Sequence, residues 1–356
     1  MEVMNDDKNQ GQENRQVNTY DPDQLYKNKS GKSGFSSWKK GLIIFLIIAV
    51  VIVILGVSCN MGVSGILGTT EDDYDYSSDY IGVLAIRGTI AEEGGTSDTY
   101  NQQWLIERVE QMKNDPYNQG LILTIDTPGG SVYATDELYL QIKAYAEETG
   151  RPVYTYMEST AASGGYYIAA ASDKIFANRN TLTGSIGVTI GTVYDISGFL
   201  EKMGIKTVTI TSGNNKAMGS SVNPLTKEQK EIYQSIVDES YEQFVGVVAE
   251  GRDMKLSKVR KLADGRIYTA KQAEENGLVD QVGTLQDAVR DMRAAYELDD
   301  CDLQTMEYKP KTTFLSWLDS KTSAKESSAK SEYDQLMKLM EENNQFTVTY
   351  LSPIQK

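Results

Sequence analysis

Leu121-Ile122-Leu123-Thr124-Ile125-Asp126-Thr127-Pro128-Gly129-Gly130-Ser131 reads as a strand, a turn and the start of a helix. The first five residues are apolar except for Thr124, which is the pattern of a strand buried on both faces. Pro128, Gly129 and Gly130 break it. Residues 131–148 then continue on a helical period carried by Leu138, Ile142 and Tyr145. The same alternation recurs outward from this unit. Residues 81–86, 153–157, 175–177, 186–193 and 206–210 read as strands, and 163–171, 199–203 and 226–250 as helices. Thr226 follows Pro224 and is placed to cap the last of these. Residues 265–280 read as strand, short helix and strand, past Cys301 the signal fades, and the last dozen residues read as a loose tail. Strands alternating with helices imply an α/β domain whose mainly parallel sheet is covered by helices.

Only part of the chain belongs to that domain. Residues 41–57 contain no charged or polar side chain, and with the flank to Met61 they reach the about 20 residues that cross a bilayer core. Lys27, Lys29, Lys32, Lys39 and Lys40 precede the run, while Glu71, Asp72, Asp73, Asp75 and Asp79 follow it. That asymmetry puts the N-terminus in the cytoplasm and the body outside. A buried core helix, a cleaved signal and a lipid-modified Cys59 are the competing readings; the run has no polar face, which disfavours the first, and the forty residues before it disfavour the other two. The division expected is a disordered cytoplasmic segment (1–40), a membrane anchor (41–61), a linker (62–79), the folded domain (80–300) and a C-terminal extension (301–356). Within the extension, 320–331 reads as a linker and 332–343 as a short charged helix.

Composition excludes several functions. A net charge of -15 argues against a nucleic-acid partner. Two distant cysteines make no disulfide framework. The 356 residues include no histidine, which disfavours a catalytic zinc and removes the usual base of a serine nucleophile. No metal or cofactor is expected.

The chemistry left open is that of a serine with a lysine. Ala161-Ala162-Ser163-Gly164-Gly165 places Ser163 at a strand end that opens a helix. Taken alone, Ser163 is either a nucleophile or a helix cap. The Gly129-Gly130 turn is likewise either a plain connection or a source of backbone N–H donors for an oxyanion. Both turns close strands of one parallel sheet, the edge where sites form in open α/β folds. Lys174, Lys202, Lys206, Lys216 and Lys227 all follow Ser163. Lys216 alone lies in a Gly/Asn-rich loop straight after a predicted strand, and is either a base or a solvated loop lysine.

Four blocks in this order carry a resemblance: Asp-Thr-Pro-Gly-Gly-Ser (126–131), Ala-Ala-Ser-Gly-Gly-Tyr-Tyr (161–167), Thr-Gly-Ser-Ile-Gly-Val (183–188) and Ser-Gly-x-x-Lys (212–216). With Gly-Arg-Ile-Tyr-Thr-Ala-Lys-Gln-Ala (265–273) and Gly-Leu-Val-Asp (277–280) behind them, the chain resembles the signal peptide peptidase A (protease IV) family. The resemblance covers about residues 80–294 and implies a ClpP/crotonase-like spiral core, a homo-oligomer and a membrane-anchored serine endopeptidase. It implies Ser163 as nucleophile, Lys216 as general base, Ser185 as the hydroxyl orienting the lysine, and the N–H groups of Gly130 and Gly164 as oxyanion hole. The implied substrates are cleaved signal peptides and other apolar peptides at the membrane, paired in extended form beside Gly129-Gly130. A lysine base must be held neutral by burial, because a free lysine has a pKa of about 10.4. A crotonase-type CoA-thioester enzyme and a non-catalytic peptide-binding scaffold are the alternatives.

Overall fold

The computed structural model describes residues 42, 44–48, 77–92, 99–310 and 349–351. Leu42 and residues 44–48 are helical with exposed apolar side chains. Among the described residues no helix is long and apolar enough to cross a membrane. Most of the expected anchor, the N-terminal segment, Cys59 and residues 320–343 lie outside the described residues.

The body is an eight-stranded sheet carried by β1 (Tyr80–Arg87), β2 (Asn118–Thr127), β4 (Val153–Ala162), β5 (Lys174–Ala177), β6 (Leu182–Gly184), β7 (Ile267–Thr269), β8 (Gln281–Val282) and β9 (Asp302–Met306). A two-stranded sheet joins β3 (Gly129–Ser131) to β10 (Thr349–Leu351). The helices are α1 (Gln102–Asn114), α2 (Val132–Thr149), α3 (Gly164–Ala169), α4 (Ser197–Lys202), α5 (Lys227–Gly251), α6 (Leu256–Leu262), α7 (Ala270–Asn276) and α8 (Leu285–Tyr296). The order across the sheet is β7-β6-β4-β2-β1-β9, parallel throughout except between β6 and β7. The expected α/β class with a mainly parallel sheet is what the molecule has.

Both faces of the sheet are covered, which is why β1 and the centre of β2 read as nearly unbroken apolar runs. On one face Leu84, Ile86, Leu121, Leu123 and Ile125 pack with Leu105, Val109, Leu138 and Ile142 from α1 and α2. On the other, Ile81, Val83 and Ile122 meet Ala288, Val289 and Met292 of α8. Local chemistry sets the helix ends. Thr226 and Gln229 form a reciprocal capping box at the start of α5, and Gly150 closes α2 in the left-handed conformation.

Long β4 makes the site possible. It pairs with β2 on one side, and on the other with β5 through Tyr154–Met157 and then β6 through Thr160–Ala162.

Two strand expectations are corrected. Residues 186–193 form no strand beyond a bridge at Thr189, the nearby strand being β6 instead, and residues 206–210 form none. Val208 and Ile210 are 83% and 92% exposed, so this run has the strand pattern without a strand beside it. The end of the chain is corrected too. β9 adds to the sheet edge on β1, and residues 349–351, read as loose, form β10.

Candidate active site

Ser163 follows β4 and precedes α3 at the carboxyl end of the sheet. Its backbone has φ 55° and ψ -116°, a conformation L-residues seldom adopt. Such a geometry costs about 1–3 kcal/mol and persists only where the surroundings over-determine it. Here they do: Ser163 N donates to Gly184 O at 2.8 Å, and its carbonyl accepts from Tyr167 N at 2.9 Å. The side chain does not cap α3, which removes the helix-cap reading. Ser163 is 1% exposed, yet its Oγ has no hydrogen-bond partner. A buried hydroxyl is ordinarily satisfied, so an orphan held on a strained turn calls for a specific explanation.

Ser185 is brought alongside. Ala162 pairs with Gly184 in the β4–β6 ladder, so Ser163 and Ser185 are the next residues of neighbouring strand ends. Ser185 is also buried and also has a positive φ, 50°, and its N donates to Arg266 O at 2.7 Å.

The Gly-Gly turn closes the other side. Gly129 has φ +98°, and a Cβ there would lie 2.7 Å from Gly164 N and 3.0 Å from Ser163 Cβ. A Cβ on Gly130 would lie 1.9 Å from the Ile90 carbonyl oxygen. Both positions therefore require glycine, and the two glycine turns meet as the sequence reading expects. Thr135, on α2, adds a feature that reading missed. Its fully buried Oγ1 is also without a partner and would stand 2.7 Å from a Cβ at Gly164. Nothing local in the sequence marks it, since only packing of α2 brings it there.

Below Ser163 is an aromatic wall. Tyr167 lies one helical turn further on, its ring against Tyr139 and Phe244 at 5.1 and 5.0 Å. Its hydroxyl donates to Asp136 at 2.6 Å and accepts from Gln243 at 2.9 Å. Burial first, and the Asp136 bond next, push that phenol well above the ordinary tyrosine range, so it stays neutral.

Lys216 is not part of this cluster. It is exposed, in a turn where its N donates to Gly213 O at 3.1 Å. Among the described residues no group of three or more acidic or cysteine side chains could hold a metal ion.

The profile of peptidase family S49 matches residues 145–299. The "Putative signal peptide peptidase SppA" of Enterococcus faecium is 41% identical over 244 residues, which covers 67% of this chain and 70% of the relative. The chain belongs to peptidase family S49. Among its S49 relatives, "Serine protease SPPA, chloroplastic" of Arabidopsis thaliana is 34% identical over 59% of this chain and 32% of its own length. "Protease 4" of Haemophilus influenzae is 32% identical over 59% of this chain and 34% of its own. The S49 match spans Ser163, Ser185 and Lys216 alike, so it takes in both the buried half of the site and the exposed loop.

Proposed function

We propose that this S49 chain is a serine endopeptidase in which Ser163 attacks the peptide carbonyl, Lys216 takes its proton, and Ser185 orients the amine. The backbone N–H groups of Gly130 and Gly164 receive the oxyanion. The observation that carries the reading is the buried Ser163 Oγ, strained and without a partner, flanked by the two glycine turns. Preorganised backbone donors of this kind stabilise charge that exists only in the transition state. Substrates are peptides bound in extended form, notably remnants of cleaved signal peptides. Residues 41–61 hold the body at the outer membrane surface, near those substrates. The core is of the ClpP/crotonase spiral type.

Lys216 needs a covering surface before it can serve as base, because burial is what disfavours the ammonium form. Its own chain leaves it exposed, and the segment leading to it carries unpartnered apolar side chains. Phe199, Met203, Val208 and Ile210 are 62%, 63%, 83% and 92% exposed. A second copy of this chain packed on 199–216 covers the lysine and the apolar stripe together. The reading is therefore of a homo-oligomer.

A fluorophosphonate probe tests the nucleophile. Labelling of the wild-type chain that maps to Ser163 and vanishes in Ser163→Ala supports the peptidase. An unlabelled, folded wild-type chain leaves a peptide-binding scaffold.

A further inference from the structure

Lys216 is exposed, yet the loop that carries it is fastened. Residues 213–220 lie along the first two turns of α5 and meet it on both sides of the lysine. Before it, Asn214 O accepts from Gln229 Nε2 at 3.1 Å, and Asn215 Nδ2 donates to Glu228 Oε1 at 3.0 Å. Beyond it, Gly219 has φ +86°, and a Cβ there would lie 2.5 Å from the Tyr233 hydroxyl. Gln229 and Tyr233 are four apart and so share one face of the helix. The other end of α5 is anchored in the core by Phe244, Val245 and Val248. The loop thus takes its place from a rigid element.

Gln229 has two duties in this arrangement. Its side chain is largely buried, and both of its ends are used. Oε1 accepts from Thr226 N at 3.2 Å while Thr226 Oγ1 accepts from Gln229 N at 3.2 Å, which closes the capping box. Nε2 donates to Asn214 O. A capping box takes glutamate as well as glutamine, since it needs only a side-chain oxygen. The bond to Asn214 needs the amide, because a carboxylate has no donor to offer a carbonyl. At α7 the same box is closed by Gln272, whose side chain is exposed. The amide at 229 therefore has a use that helix capping does not call for.

We propose that Gln229 is a positioning residue for Lys216, acting through the backbone of Asn214. The inference rests on the peptidase reading above, in which Lys216 is the base. A long lysine stem has many rotamers. Fixing the backbone two residues away leaves only those rotamers for the covering surface to select. A misplacement of about 1 Å costs a reacting group about a hundredfold in rate, so the tie bears on kcat.

Four full-length chains separate capping from positioning: wild type, Gln229→Glu, Thr226→Ala and Gln272→Glu. Gln229→Glu keeps the box and loses the tie. Its kcat on a fluorogenic peptide falls at least about tenfold with KM unchanged. Its thermal midpoint holds, and amide hydrogen exchange of residues 213–218 quickens. Thr226→Ala does the reverse. It loses the cap hydroxyl but keeps Gln229 on both backbones, so its midpoint drops by about 2–4 °C while kcat stays within about twofold. Gln272→Glu matches wild type in all these measurements. Rates are taken from about pH 7 to about pH 10, because the new carboxylate also favours the charged lysine. A deficit that persists across that range supports positioning, and one that vanishes at high pH is a charge effect and overturns it. Wild-type kcat in Gln229→Glu overturns it too and leaves the peptidase standing. If the wild-type chain hydrolyses no peptide and Ser163 is not labelled, the peptidase reading falls and this inference falls with it.

Discussion

The Ser163 region and the Lys216 region are built on opposite principles. Around Ser163 every element is fixed from several sides: β4 between β2 and β6, Gly130 against Ile90, and α3 against the aromatic wall. Around Lys216 residues 198–216 carry one short helix, no strand, and side chains that face outward. Yet the proposed proton-transfer pair needs both members placed with equal precision. A nucleophile can be strained only where surrounding packing outweighs the strain, and the sheet edge provides that within one chain. A neutral lysine needs a dry surface, and this chain offers only half of one.

Removing either member breaks the comparison most severely. Ser163→Ala and Lys216→Ala are each expected to lower peptide hydrolysis by about a thousandfold or more, since residues acting as one unit fail together. Steady-state assays beside circular dichroism check this. An active Lys216→Ala chain with native folding would move the base to another lysine.

Gly130→Ala is expected next in size, with a loss of about 2–3 kcal/mol in denaturant unfolding as well as of activity. The added Cβ meets the Ile90 carbonyl at 1.9 Å, and neither backbone can yield without shifting β3. Gly213→Ala, in the Lys216 loop, has open space around it and should leave stability nearly unchanged.

Strain at Ser163 predicts a gain. Ser163→Gly abolishes activity but should stabilise the fold by about 1 kcal/mol, because glycine accepts φ 55° and loses only part of that benefit to chain entropy. A thermal unfolding midpoint below that of Ser163→Ala would contradict a strained nucleophile.

The smallest effect on stability should come from the exposed stripe. Ile210→Ser is expected to change unfolding free energy by no more than about 0.5 kcal/mol, since a side chain 92% exposed is already in water. Light scattering should nevertheless show weaker self-association, with activity lost in proportion. Unchanged mass and activity would leave Lys216 without its cover.

Much of the chain was legible as sequence because the relevant physics is local. Largely apolar runs marked β1 and β2, a helical period marked α2, and Thr226 marked the start of α5 by its own capping chemistry. The Gly129-Gly130 turn was readable as a possible source of backbone N–H donors before any neighbour was known. What stayed hidden depended on partners far along the chain. Residues 206–210 and 349–351 both carry β-branched or aromatic side chains, and only the second found strand edges to pair with. Strand propensity describes a fit to a pleated surface, so without a neighbouring edge it decides nothing. Tertiary structure alone set Ser163 in its strained turn, placed Ser185 and Thr135 beside it, and left Lys216 outside. Those outcomes follow from sheet register and helix packing, which no run of consecutive residues contains.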